Sequence, residues 1–510
     1  MSESRVISRL DDWINPIAMK EMRQAVKGRF VVGMLLFYLL IQLVIIGAVL
    51  LFQENPTENF NLGRGLFMGL LSALLATGIF FIPAYTALRF SSERSENNVD
   101  LFFITTMHPR QIIWGKLASS MLLVLLFFSA SLPFLTLTYL LRGLDLPSMF
   151  LVLSLDFLVV TGCTQFAIML ASFPGKLMLR FIRFALGAVV LALAFYLTSA
   201  ASIQFVLFGI GSSLTSWDFW RTALFTVSII LLAIGLFFVL SMTAITPKTA
   251  NKAFPLRVYL VLVWLITGFF SSLCALQLKE EGFLGGWAIS MTMIFSFHLL
   301  AAVCERQNLG PRVRRKIPNR LFSRALVYPF YSGAASGIVF SVLMLLLTVV
   351  ATFLISQFDR VVLYEEELFI YSFVPGIYAF CYAMTAFAIR RWFFRKAAEP
   401  TVTALLAGIL FFLGCAGPPM IAFLMNDGQW RGIPEQWFIA NPYAIFWERR
   451  LWDNCIAFSS IWAIMAAAIT LPWLVRKIAG FVPFRAEETQ SAEVTVMLPI
   501  AEAIPETDHE

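Results

Sequence analysis

Val31–Phe52 reads VVGMLLFYLLIQLVIIGAVLLF, 22 residues without a charged side chain. A helix advances roughly 1.5 Å per residue and the hydrocarbon core of a bilayer is about 30 Å thick, so about 20 such residues cross it. Working outward, runs of the same kind recur near 66–90, 117–141, 149–172, 184–208 and 222–245, and then near 258–277, 284–304, 333–357, 370–389, 402–425 and 455–475. The count of twelve is most sensitive to the pair within 258–304, whose connecting loop is short. None of the runs alternates apolar and polar residues as barrel strands do, and a helix satisfies its own backbone hydrogen bonds where lipid cannot. Composition agrees. Of 510 residues, 59% are hydrophobic and 14% charged, against about half and about a quarter in a soluble domain. The expected fold is all-α: a polytopic integral membrane protein of about 12 transmembrane helices.

Lys and Arg orient the chain. With the N-terminus inside, 30 of the 38 fall on inner segments and 8 on outer ones. That asymmetry predicts both termini in the cytoplasm. The net charge of +7 is then topological; it is not a nucleic-acid footprint, and nucleic acid is not an expected partner. Some 30 polar-rich residues precede the first run, which is too long for the apolar core of a cleavable signal. The cysteines (Cys163, Cys274, Cys304, Cys381, Cys415, Cys455) are scattered, with no C-x-x-C pair. They read as small buried residues and not as a disulfide or zinc framework.

A cytoplasmic loop at 246–257, carrying Pro247 and Pro255, separates two sets of six runs, 1–250 and 251–486. Each set starts inside, which suggests a repeat about an axis along the membrane normal. The loop at 305–332, rich in Arg, takes the place in the second set that the polar stretch around Ser91 takes in the first. Residues 487–510 carry seven acids and no Lys or Arg, the composition of a disordered cytoplasmic tail. The long outer loop at 426–454 holds Trp430, Trp437, Trp447 and Trp452, candidates for an aromatic belt at the outer interface.

Two segments outside the runs have helical patterning. In 12–29, Ile14, Ala18, Met22 and Ala25 share one face while Lys20, Arg23, Gln24 and Lys27 share the other, which predicts a basic helix lying in the membrane interface. From Ser91 to Arg110 the chain is conspicuously polar. A short helix is expected from about Arg94 to Thr105, with Val99, Phe102 and Phe103 on one face and Glu96 and Asp100 on another. Pro109 ends it and suits the first turn of the helix that follows.

Searches for chemistry exclude more than they find. No G-x-x-x-x-G-K-[ST] loop is present, so the chain carries no nucleotide motor of its own. The three histidines lie far apart and no metal-spaced set accompanies them; no metal and no cofactor is expected. Two ionisable residues fall inside runs, Asp156 in the fourth and His298 in the eighth. Such residues are costly in lipid and either contact a substrate or ion or satisfy an interhelical hydrogen bond.

The stretch Asn15-Pro16-Ile17-Ala18-Met19-Lys20-Glu21-Met22-Arg23-Gln24 resembles the N-P-x-x-x-K-E-x-R-Q opening of type-2 ATP-binding-cassette (ABC-2) transporter permeases. Glu93-Arg94, then Asp100-Leu101-Phe102-Phe103-Ile104-Thr105-Thr106, Pro109 and Gly115-Lys116 resemble that family's E-R…G-T-x-E-L-L-L-x-T-P…G-K stretch. The likeness covers roughly 12–145. Asn97-Asn98-Val99 stands where the family has Gly-Thr-Leu, His108 precedes Pro109, and six spans follow the usual six. The resemblance implies an interfacial elbow helix bearing Asn15, Pro16, Lys20, Glu21 and Arg23. It also implies a cytoplasmic coupling helix that meets a separate ATPase subunit through Glu93, Arg94, Glu96, Asp100, Phe102 and Phe103. An exporter of the bacterial inner membrane follows, not itself an enzyme, with membrane lipids and a second permease subunit or second copy as further partners. Two other classes compete with it. One is an ion-coupled secondary transporter using Asp156, and the other is a membrane-embedded enzyme, for which no catalytic constellation is present.

Overall fold

The computed structural model describes Met19, Glu21, residues 23–24, 28–52, 62–93, 108–141, 144–175, 177–208, 213–247, 250–278, 281–305, 309–357, 365–394, 400–430, 432–446 and 449–483. Among these there is no strand, and twelve helices are long and apolar enough to cross a membrane. The protein is an all-α, multi-pass membrane protein. The chain divides into two compact units, Met1–Pro247 and Lys248–Glu510. The first holds α1 (Arg29–Phe52), α2 (Leu62–Glu93), α3 (Pro109–Leu140), α4 (Leu146–Ser172), α5 (Leu177–Phe208) and α6 (Trp217–Ile245). The second holds α7 (Ala253–Leu278), α8 (Glu281–Val303), α9 (Ala334–Ser356), α10 (Glu365–Phe393), α11 (Pro400–Met425) and α12 (Trp452–Ala479). The short loop within 258–304 therefore separates two full helices, α7 and α8.

Several helices overrun their apolar runs, and the overruns matter for the site. α3 has 32 residues, about 48 Å at roughly 1.5 Å per residue, against a core of about 30 Å. Its first turns carry Arg110, Gln111 and Lys116, good helix formers that hydropathy does not count. Pro109 occupies the first turn, where no N–H is needed, and His108 N donates to Gln111 Oε1 at 3.0 Å. α4 is capped by Asp145, whose Oδ2 accepts from Ser148 N at 3.1 Å. Inside α2, Pro83 removes a backbone donor and would clash with the carbonyl four residues back. The helix absorbs this in a wide turn over Thr77–Phe81, where Ile82 N reaches back five residues to Thr77 O.

In the first unit α4 packs against α2, α3, α5 and α6. The core is Leu70, Leu74 and Ile79 of α2, Phe127 of α3 and Val160 of α4, all fully buried. Gly78 permits the closest approach: a methyl added there would stand 3.0 Å from Val160 Cγ2. Several polar side chains within this core are paired across helices. Gln42 Nε2 donates to Tyr38 Oη, Tyr38 Oη is bonded to Ser131 Oγ, and Gln165 Nε2 donates to Ser241 Oγ at 3.2 Å.

In the second unit α8 packs on α7, α9 and α10, and α10 on α11 and α12. Indole and hydroxyl pairs join the helices: Trp264 Nε1 to Thr348 Oγ1 at 2.9 Å and Trp462 Nε1 to Thr385 Oγ1 at 3.0 Å. The loop after α11 is folded onto the unit. Tyr378 Oη donates to Ile439 O, and Tyr382 Oη to Ala440 O at 2.7 Å. This corrects one expectation for the aromatic belt. Trp452 is buried, with its indole N–H given to Ile445 O at 3.0 Å and its ring edge-on to Tyr371. Trp430 is exposed and stacks on Phe423; Trp447 and the acidic tail at 487–510 lie outside the described residues.

Candidate functional site

The overruns of α2 and α3 leave the apolar core at the same end of the first unit, and there the chain gathers four charges. Tyr85, Arg89 and Glu93 follow at four-residue spacing along one face of α2. Lys116 comes from α3. Glu21 comes from the N-terminal segment, where Met19, Glu21, Arg23 and Gln24 are helical. Lys116 Nζ lies 2.5 Å from Glu21 Oε1 and is also bonded to Glu93 Oε2. Arg89 Nε is 3.2 Å from Glu21 Oε2 and 3.8 Å from Glu93 Oε1. Its Nη1 donates to Tyr85 Oη at 2.9 Å, and its Nη2 to Gln24 Oε1.

Burial makes this cluster more than a surface ion pair. The Lys116 side chain is 4% exposed and that of Glu21 is 9%. The ammonium stands 5.4 Å above the ring of Phe90, over an apolar floor of Ala87, Ile113 and Leu117. Two acids and two bases cancel, so the group is neutral as a set. Losing one member strands a charge in a dry place. A cavity of about 20 Å³ beside it has room for one water molecule and not for a substrate. The Lys116 amine and both carboxylates are engaged with one another, and among the described residues no substrate-sized space adjoins them. The cluster acts as a clasp that holds the N-terminal segment, the end of α2 and the start of α3 together.

The segment 94–107 runs between the last residue of α2 and the residue before α3, so the clasp lies at its two ends. Arg94, Glu96, Asp100, Phe102 and Phe103 lie outside the described residues, as do Asn15, Pro16 and Lys20. Glu93, expected at a rim facing a partner, has its carboxylate committed to Lys116. Arg23 is exposed.

The second unit has a clasp at a comparable place, where the start of its first helix, the end of its second and the approach to its third meet. Arg257 of α7 is fully buried. Its Nη2 donates to both oxygens of Glu305, just past α8, at 2.8 and 2.9 Å. Its Nη1 donates to Pro329 O at 2.8 Å, Tyr331 O at 2.5 Å and Ser336 Oγ at 3.2 Å. Gly333 N donates to Glu305 Oε2 at 2.7 Å, from a backbone with φ of +146° that only glycine takes readily. A methyl at Gly337 would stand 2.5 Å from Ala302 Cβ, so the run Gly333–Gly337 serves close helix packing.

Neither intramembrane ionisable residue faces a cavity among those described. Asp156 is buried in α4; Ser202 Oγ donates to its Oδ1 at 2.8 Å, and Oδ2 has no partner among the described residues. His298 Nδ1 is bonded to Ser341 Oγ at 2.7 Å, with its ring edge-on to Phe340. They belong to different units. Among the described residues no three His, Cys, Asp or Glu side chains converge as metal ligands.

Sequence reasoning quoted Glu21, Glu93 and Lys116 within motifs but did not pair them, and it missed Arg89, Arg257 and Glu305. The available signal was isolated charges at the ends of long apolar runs. Comparison with known protein families, curated proteins and solved structures finds no match for this chain.

Proposed function

We propose that this chain is the membrane permease subunit of an ABC-2-type transporter, an exporter driven by a separate ATPase subunit. It would lie in the cytoplasmic membrane of a bacterium with both termini inside. One observation carries the reading. The buried clasp unites Glu21 of the stretch that resembles the family's elbow motif with Glu93 and Lys116, the two ends of the stretch that resembles its coupling motif. A force applied to 94–107 by a soluble ATPase would reach α2 and α3 together, and the N-terminal segment with them. A neutral clasp at the base of a lever serves such transmission; a catalytic centre would need a substrate-sized cavity. Expulsion of substrate would then follow from tilting of α2 and α3 against α4.

The test uses the tagged full chain expressed with the ATPase from a neighbouring reading frame that carries a Walker A motif. The ATPase should co-purify. Phe102→Ala with Phe103→Ala should release it or uncouple hydrolysis, while the amount of chain in the membrane stays unchanged. Buried aromatic anchors contribute about 2 kcal/mol each at interfaces, so the double change should weaken the complex about a thousandfold. Undiminished co-purification and hydrolysis in the double variant would remove the coupling claim. The unpartnered Oδ2 of Asp156 favours the ion-coupled alternative; transport that stops when ion gradients collapse with ATP present would establish it.

A further inference from the structure

The second unit holds a cavity of about 160 Å³ where α9 begins and α12 ends. Its walls are the α9 N-terminus, the turn carrying Tyr328 and Tyr331, and Phe481 just beyond α12. Phe481 closes one side by packing edge-on against both tyrosines, with ring centroids 5.0 and 5.1 Å away. Three cations line it: Arg314 from the loop before α9, and Arg476 and Lys477 from the last turn of α12. No acid lines it, and among the described residues none of the three cations is in an ion pair.

The surrounding groups leave this charge uncancelled. Glu305 touches the wall through Gly333 N, but the bidentate bond to Arg257 already neutralises it. Burial pushes the Tyr328 phenol up to about 12 and raises that of Tyr331, so both stay uncharged near neutrality. The cavity also has donors to offer. Ala334 and Ala335, buried at the start of α9, give their backbone N–H groups to no acceptor among the described residues. A pocket with three cations, no acid and the first turn of a helix in its wall concentrates positive potential where a small anion fits.

We propose that this cavity binds a phosphate group. Two sources carry one, a lipid headgroup and free phosphate, and the surroundings favour the lipid. The cavity lies where two apolar spans end, at the start of α9 and the end of α12, the position at which a span leaves the hydrocarbon. Beside it stands the short helix Leu321–Val327, tied to its wall by Arg324 Nη1 donating to Phe481 O at 3.4 Å. That helix exposes Leu321, Phe322 and Leu326 at 78%, 82% and 66%, apolar surface next to a cationic pocket. This is the pairing that an anionic phospholipid presents in reverse. Basic pockets between helix ends on the positively charged face are recurrent headgroup sites.

The experiment measures lipid binding and so stands apart from any transport reading. Full-length chain in mild detergent is titrated with phosphatidylglycerol, phosphatidylcholine and inorganic phosphate, and binding is followed by native mass spectrometry. Phosphatidylglycerol should bind at least tenfold more tightly than phosphatidylcholine. Arg314→Gln, Arg476→Gln and Lys477→Gln should each weaken it about fivefold, and the triple variant about a hundredfold. Arg391→Gln, a basic helix-end change outside the cavity, should have no effect. Ala335→Leu keeps every charge but fills the cavity, and should abolish the preference in protein that remains monodisperse. Displacement by millimolar inorganic phosphate would identify the free anion as the ligand; retention of phosphatidylglycerol under that challenge identifies the headgroup. Equal binding of the two lipids, or a triple variant no weaker than Arg391→Gln, overturns the proposal.

Discussion

Lys116→Met removes from the first unit's clasp the charge that stands over Phe90 and keeps an unbranched apolar side chain of similar length. The native set is neutral, two acids with two bases. The variant leaves one excess negative charge shared by Glu21, 9% exposed, and Glu93, 33% exposed. Removing one partner of a buried ion pair costs about 3–5 kcal/mol. The lower end applies here, because Arg89 stays 3.2 Å from Glu21 and Glu93 can turn to water. The expected loss is therefore about 3 kcal/mol in unfolding free energy. Adding Glu21→Gln restores neutrality and should return roughly 1–2 kcal/mol of it, a coupling in the range found for charges in contact. The assay is denaturant unfolding in detergent for the wild type, both single variants and the double, with hydrogen exchange of Met19–Gln24 as a local readout. Those amides should exchange faster in Lys116→Met. A variant as stable as wild type, or single effects that simply add, would refute the clasp as an energetic unit.

Asp156→Asn should keep both stability and transport, because Ser202 Oγ can still donate to the remaining carbonyl oxygen; a well-folded but inactive variant, measured by transport in vesicles, would assign Asp156 to an ion path. Arg257→Leu should destabilise the second unit by about 3–5 kcal/mol, because it strands Glu305 and the carbonyls of Pro329 and Tyr331; thermal unfolding matching wild type would contradict this. Reporter fusions after Ala486 and within 312–320 should both score cytoplasmic, given the division of Lys and Arg between inner and outer segments. An outside score for either would break the orientation.

The twelve spans were legible because bilayer thickness acts on chain length directly. A stretch such as Val31–Phe52 has no other stable home, and the helix is the one backbone form that closes its own hydrogen bonds there. The ends were less legible. The start of α3 was legible from Pro109, which suits a first helical turn, although hydropathy alone begins the run only at Leu117. Trp452 was read as interfacial from its type, but Ile445 O takes its indole N–H inside a folded loop. The π-turn at Thr77–Phe81 was equally hidden, since Pro83 signals a disturbance without saying how the helix will absorb it.

The charged residues divide the two levels most sharply. As a sum over the chain, Lys and Arg predict an orientation, because each one responds to the membrane on its own wherever its neighbours lie. As partners, they are unreadable in one dimension. Lys116 meets Glu21 across 95 residues, and Arg257 meets Glu305 across 48. Hydropathy carries no term for which helix end lies beside which. That choice is made when apolar faces such as Phe90, Ile113 and Leu117 pack and bring the polar overruns of separate helices to one spot. There a charge can stay buried only if its opposite arrives with it.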